Sequence, residues 1–134
     1  MYQGVSAQDA PLKDSVPHRK YVYIHLISQD SDQVLFTSIG RYLSDHNYPI
    51  ATSNKEFLTM RSEYGPGPGS SQMCFEITIR GHEAKVKMLM LIPGVYLGEE
   101  VFYTIHSTIS KYFWDIGYKL LMSYPHSSAY YSLQ

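Results

Sequence analysis

The chain has 134 residues, 44% of them hydrophobic, which is the length and composition of a single folded domain. Its net charge of −1 provides no overall field that would attract nucleic acid or an anionic membrane, so we expect no nucleic-acid partner. The single cysteine, Cys74, excludes an internal disulfide and a cysteine-based zinc site. No apolar run approaches the ~18 residues that a membrane-spanning helix needs, so we expect no transmembrane segment.

Tyrosine is unusually frequent, with 13 residues. Tyrosine in excess of what a core needs is typical of a contact surface, because its ring adds buried area at a small entropic cost. Sheet faces also favour tyrosine, so the same excess is compatible with residues that line a sheet.

The polar residues 1–19 show no apolar period, which predicts a flexible tail or the remnant of a signal peptide. The letters VSA before Gln8 have the small-residue spacing that signal peptidases cleave. A charged start and an apolar core are missing before them. We therefore expect that Met1 is not the native start or that the signal has been trimmed.

The first regular element is the stretch KYVYIHLIS, residues 20–28, whose apolar and polar residues alternate and predict a strand. Ser31 or Asp32 then provides the N-cap of a helix in which apolar residues recur at helical spacing. Asn47 can cap the end of this helix, and Pro49 cannot continue it.

Four further strands are expected before the second helix. Residues 50–52 and 57–64 predict two short strands around a polar turn, and the glycine- and proline-rich residues 65–71 predict a long connection. The stretch QMCFEITIRGHEAKVKMLMLIPG predicts a hairpin in which Gly81 and His82 form the turn.

A long amphipathic helix is expected after this hairpin. Glu99 and Glu100 suit a helix N-terminus, and the following apolar residues recur at helical spacing. The order β-α-β-β-β-β-α predicts an α+β domain over residues 20–122, with an antiparallel sheet of four to five strands and both helices on one face. The polar residues 123–134 are expected to form a C-terminal tail.

The sequence offers no convincing catalytic or metal-binding pattern. Its six histidines include no pair with the spacing of a metal site on a helix or strand. No serine lies in a glycine-flanked elbow, and Cys74 lies within a strand rather than at a helix N-terminus. We therefore expect no catalytic residue, no metal site and no cofactor, and we expect that the protein is not an enzyme. An enzyme that uses His25 or His106 is the least favoured alternative.

The stretch YLSDHNYPIATSNKEFLTMRSEY runs from the end of the first helix through a polar turn into an outgoing strand. It resembles small exported domains of Gram-negative cell envelopes that have a TBP-like, or helix-grip, fold, over residues 20–120. The chain departs from such families in the turn, where Phe57 stands in place of a glycine. The resemblance implies a binding or scaffolding module in the periplasm or at the envelope, and a cytoplasmic location is the alternative.

Our first functional hypothesis is a protein-binding domain that contacts a partner at the envelope through exposed tyrosines and loops. The candidate contact residues are Tyr21, Tyr23, Val95, Tyr96 and Leu97.

The alternative is a binder of a small apolar ligand, held in a cavity between the long helix and the sheet. The candidate lining residues are Met88, Met90, Phe102 and Ile105. An RNA-recognition-like module is a further alternative, because VYIHLI resembles the first-strand motif of such domains.

Overall fold

Two helices and one antiparallel sheet make up the part of the chain that this computed structural model describes, which is residues 10–11, 23–92, 96–101 and 108–132. The predicted α+β class is confirmed. In chain order the elements are β1 (Ala10–Pro11), β2 (Tyr23–Ile27), α1 (Asp32–Asp45), β3 (Ile50–Asn54), β4 (Thr59–Ser62), β5 (Gly65–Pro66), β6 (Gln72–Arg80), β7 (Glu83–Ile92), β8 (Tyr96–Val101), α2 (Thr108–Met122) and β9 (Ser128–Ser132).

The strands lie in the order β1-β9-β2-β7-β6-β4-β3, and all pairs are antiparallel. The long strand β7 pairs with β6 along one edge. Its other edge is shared, because β2 pairs with residues 83–87 and β8 pairs with residues 88–92. In the same way β4 and the short β5 both pair with the outer edge of β6.

Helix α1 begins where the sequence predicts. The Ser31 side chain caps it by accepting a hydrogen bond from the backbone N–H of Val34 at 3.3 Å. The helix ends before Asn47, whose φ of 73° takes the chain out of the helical conformation. The predicted N-cap and the predicted end of this helix are therefore confirmed.

The β6–β7 hairpin turns at Gly81 and His82, which both have a positive φ, of 60° and 61°. Positive φ at both central residues is the geometry of a type I′ turn, which matches the twist of the flanking strands. The carboxylate of Asp32 accepts hydrogen bonds from the backbone N–H of Gly81 at 3.2 Å and of His82 at 2.7 Å. The first turn of α1 thus holds the tip of the hairpin.

Alternation along the strands divides the sheet into two faces. One face joins the two helices in a single core, and its largest fully buried side chains include Leu35, Ile39, Phe75, Ile77, Met88, Phe113, Trp114 and Leu121. We call the opposite side, which carries the other set of alternating strand residues, the open face, although Cys74, Leu89 and Ser132 on this side are buried. Burial raises the pKa of the Cys74 thiol, against the opposing effect of Arg61, so the cysteine stays protonated near neutral pH.

The second half of the chain differs from the prediction. Residues 96–101 form β8, where the sequence predicted a loop and the start of the second helix, so Glu99 and Glu100 lie in a strand. Helix α2 spans Thr108–Met122, so Glu99 and Glu100 are not at its N-terminus. The backbone N–H and C=O groups in the outer half of β7 need hydrogen-bond partners, and a neighbouring strand such as β8 supplies them more directly than a helix.

The predicted C-terminal tail, residues 123–134, contains β9. This strand pairs with β2 on one side and with β1 on the other. Its sequence SAYYS is short, and its strand conformation follows from the edge that β2 offers rather than from a local pattern. The sheet consequently has more strands than the predicted four to five, in a different order, and the TBP-like fold stays a prediction.

Two tyrosines use their hydroxyl groups for hydrogen bonds within the fold. The Tyr42 hydroxyl donates to the carbonyl oxygen of Leu120 at 2.6 Å, and the Tyr124 hydroxyl donates to Ser38 Oγ at 2.9 Å. These bonds tie α1 to the end of α2 and to the segment that follows it. Burial raises the pKa of both phenols, so they remain neutral donors at physiological pH.

Two helical glycines provide an internal test of the packing. A Cβ at Gly40 would lie 3.5 Å from Met60 Sδ, an ordinary contact, whereas a Cβ at Gly117 would collide with the buried Met88. We expect Gly40→Ala to raise the free energy of unfolding by up to about 1 kcal/mol through helix propensity. We expect Gly117→Ala to lower it by about 1–2 kcal/mol, because overpacking outweighs the same propensity gain.

Chemical denaturation of both variants measures these changes. Lys119→Ala, at an exposed position of α2, is the matched control and should change stability by less than about 0.5 kcal/mol. A Gly117→Ala protein as stable as the wild type, or more stable, would contradict the tight contact of α2 with β7.

Candidate functional site on the open face of the sheet

A row of polar side chains crosses the open face from one side of the sheet to the other. Strand register places one residue of each of six strands in this row: Thr52, Arg61, Glu76, Lys87, Tyr23 and Ser132. At its centre Glu76 accepts from Arg61 at 3.2 Å and pairs with Lys87 at 3.4 Å. These ion pairs are partly solvated and each contributes little to stability, so they mainly shape the charge of the surface.

A shallow groove with a volume of about 350 Å³ lies between β3, β4 and β6. Its polar lining is rich in hydroxyl groups: Thr52, Ser53, Asn54, Thr59, Arg61, Glu76 and Thr78. Such a lining offers both donors and acceptors to a polar ligand or to a polypeptide.

Strand β3 forms the end of the sheet on this side. It pairs only with β4 among the described strands, and Ala51 to Asn54 are exposed. The turn that follows carries Phe57, whose side chain is 66% exposed, although Asn54 Oδ1 orders the turn by accepting from the N–H groups of Glu56 and Phe57. This end of the sheet therefore presents an unpaired backbone edge beside an exposed aromatic ring.

A buried polar network occupies the other side of the open face. Its centre is His25, which is only 4% exposed. Nδ1 of His25 lies 2.7 Å from Glu83 Oε2, and Nε2 lies 2.5 Å from Ser132 Oγ. The Tyr130 ring stacks on the imidazole at 4.2 Å, with 8° between the planes, and its hydroxyl donates to Glu83 Oε1 at 2.9 Å. Both ring nitrogens and both carboxylate oxygens are thus engaged.

The charges of this network follow from its hydrogen bonds. Burial acts to raise the pKa of the Glu83 carboxyl, but the hydrogen bonds from His25 and Tyr130 outweigh it and hold the pKa below its usual range. Lys85, on the same strand, acts in the same direction. An ionised Glu83 accepts a hydrogen bond from Nδ1–H, and in the neutral imidazole this leaves the lone pair of Nε2 directed at the hydroxyl of Ser132.

The sequence did not indicate this network. Ser132 lay in the predicted tail, and His25 lay in the first predicted strand, where it was named only as a candidate of the least favoured, enzymatic alternative. His25 is 58 residues from Glu83 and 107 residues from Ser132 along the chain, so only the register of β2 with β7 and β9 brings them together. The one available signal was the polar side of the strand YIHLI, where His25 alternates with apolar residues.

The structure brings together only part of the predicted contact site. Tyr23 lies on the open face, where Lys85 Nζ lies 4.2 Å from the centre of its ring. Tyr96 and Leu97 lie in β8, and their side chains are outside the described part of the structure. Tyr21 and Val95 lie outside the described residues altogether.

The predicted ligand cavity is only partly covered by the described residues. Met88 and Met90 are buried in the core, where Met88 is in contact with α2 at Gly117. Phe102 and Ile105 lie outside the described residues. The apolar cavity and the RNA-recognition-like alternative both stay predictions.

No protein-family model matches this chain, and no curated protein or solved structure is detectably similar to it. Neither described helix combines the length and the apolar character that crossing a bilayer requires. Within the described ranges no three His, Cys, Asp or Glu side chains are grouped so that they could hold a metal ion. The resemblance to exported envelope domains stays a prediction.

The buried network predicts a marked acid sensitivity. We expect Glu83→Gln to lower the free energy of unfolding by about 1.5–3 kcal/mol near neutral pH, because it removes charged hydrogen bonds. Because folding lowers the pKa of Glu83, its ionised carboxylate stabilises the fold at pH values above the ordinary pKa of a glutamate. This stabilisation is lost as the pH falls below that value. Denaturation at about pH 7 and about pH 3 should therefore show a difference from the wild type that shrinks in acid.

The control is a glutamate that lacks the neighbours of the Glu83 carboxylate. His25, Tyr130 and Lys85 act on it directly, and Arg80 lies opposite it on β6. Glu56→Gln, in the exposed β3–β4 turn, should change stability by less than about 0.5 kcal/mol at either pH. A Glu83→Gln protein as stable as the wild type at neutral pH would show that the network contributes nothing to folding.

Proposed function

We propose that this protein is a non-enzymatic protein-binding domain that takes up an extended segment of a partner as an additional strand beside β3. The observation that carries the proposal is the position of β3 at the end of the sheet, with no strand on its outer side among the described residues. An unpaired edge presents a row of N–H and C=O groups, and main-chain hydrogen bonds to such an edge supply affinity for an extended peptide.

The composition of β3 supports this role. Proteins usually protect edge strands with lysine, proline or inward-pointing charges, which prevent pairing with another chain. The strand Ile50–Asn54 has the sequence IATSN and contains none of these, although Pro49 precedes it and Lys55 follows it. The irregularity in its pairing with β4 lies between Ile50 and Thr52, so residues 52–54 keep a regular ladder. Three consecutive residues are therefore available for pairing.

The surroundings of β3 add side-chain contacts. In strand addition, alternate side chains of the bound segment enter pockets on the face of the sheet, which provides specificity. The hydroxyl-lined groove lies on that face, next to the Arg61–Glu76 pair. Phe57 stands at the end of the strand, where a bound segment would cover its exposed ring.

The cell envelope is the location that we propose for this interaction. It rests on the resemblance to exported envelope domains, and the cytoplasm is the alternative. The proposed contact at β3 does not depend on the compartment, because the unpaired edge and the groove belong to the domain itself.

Two proline variants test the edge. Successive strand residues direct their N–H groups to opposite sides, so one of Thr52→Pro and Ser53→Pro removes a bond to β4 and the other removes only an outward donor. Thermal unfolding identifies the outward variant, because its melting temperature stays near that of the wild type. Seven-residue peptides selected on the wild-type protein from a random display library serve as ligands.

We expect the selected peptides to bind the outward variant about tenfold more weakly than the wild type, as measured by fluorescence anisotropy. Hydrogen exchange should show that the peptides protect backbone amides of β3. Phe57→Ser reports the contribution of the ring separately. Selected peptides that leave the β3 amides unprotected, and that bind the outward variant with unchanged affinity, would overturn the proposal.

A further inference from the structure

We propose that Ser132 is a nucleophilic serine, activated by His25 and oriented through Glu83, that accepts an acyl group from a small ester. The site lies on the open face at β9, away from the proposed binding edge, and does not depend on that function. The proposed reaction acylates Ser132 covalently, within a domain whose proposed role is binding.

The geometry gives each residue a role. A general base must lie within hydrogen-bond reach of the proton that it removes, and Nε2 of His25 lies 2.5 Å from Ser132 Oγ. The base is in turn held by a third group, since Nδ1 lies 2.7 Å from Glu83 Oε2. This sequence of serine, histidine and carboxylate is the arrangement by which a weakly nucleophilic hydroxyl is activated on unrelated folds.

The supporting contacts hold the imidazole in one orientation. Tyr130 stacks on the ring of His25, and its hydroxyl engages the second oxygen of Glu83 at 2.9 Å. With both oxygens bonded, the carboxylate has no free rotation that would release Nδ1. Tyr130 and Glu83 are therefore positioning residues, because they act on the serine only through His25.

Burial distinguishes this serine from its neighbour on the same strand. Ser132 is 3% exposed, whereas Ser128 lies on the same face of β9 and is exposed to solvent. A buried relay loses less of its electrostatic effect to water than an exposed one. Accessibility alone would make Ser128 the more reactive serine, and the relay predicts the reverse.

The proposed step balances with an ester as the only co-reactant. Oγ of Ser132 attacks the carbonyl carbon, a new Oγ–C bond forms, and the bond from that carbon to the leaving oxygen breaks with its electron pair on the leaving group. The proton of the hydroxyl passes to Nε2 of His25 and from there to the leaving group or the buffer. The products are an acyl-serine and the free alcohol or its anion.

p-Nitrophenyl acetate is the probe for this step. The full chain is incubated with it, release of p-nitrophenolate is followed by absorbance, and the acetylated position is identified by peptide mass spectrometry. We expect acetyl at Ser132 to form at least about 100-fold faster than at Ser128, which corresponds to the effect of a positioned general base. Ser132→Ala should abolish this modification, and Ser128→Ala should leave its rate unchanged.

His25→Gln separates activation from accessibility. Glutamine preserves a polar side chain but cannot act as a base, so acetylation of Ser132 should slow by about 100-fold or more. Circular dichroism and thermal unfolding establish that the variant is folded; for an unfolded variant, the ratio of Ser132 to Ser128 modification in the wild type remains the deciding measurement. Equal or greater acetylation of Ser128 in the wild-type protein would overturn the proposal.

Discussion

The pairing of β7 on both edges is the constraint on which the rest of the structure depends. This strand runs from Glu83 to Ile92 and is paired with β6 along one side and with β2 and β8 along the other. Side chains alternate strictly along a strand, so a slip of one residue would exchange the core face and the open face. The fixed turn at Gly81 and His82, held by Asp32 of α1, prevents that slip.

The elements that the sequence predicted well are those whose signals are local. The β6–β7 hairpin follows from alternation and a two-residue turn, and α1 follows from apolar spacing and a serine N-cap. The strands β8 and β9 have no comparable signal. They are strands because β7 and β2 have edges that must be paired, and a window of neighbouring residues does not contain that requirement.

The buried network could be predicted even less from local sequence signals. Its chemistry requires a base, a carboxylate and a hydroxyl in one place, and no spacing rule connects His25, Glu83 and Ser132 in the sequence. The edge at β3 was also missed, although its strand was predicted, because a strand becomes an edge only when the order of the whole sheet is known. By contrast, the absence of charge in IATSN was already visible in the sequence.

The two proposed sites lie at opposite ends of the same row on the open face, with Thr52 at one end and Ser132 at the other. Five steps between neighbouring strands separate them by about 24 Å. Glu76, bonded to Arg61 and Lys87, lies between them, and no described contact links the row's ends directly. Substitutions this far apart with no shared partner act additively. Occupancy of the edge and acylation of the serine can therefore vary independently, and a single sheet can carry both without one disturbing the other.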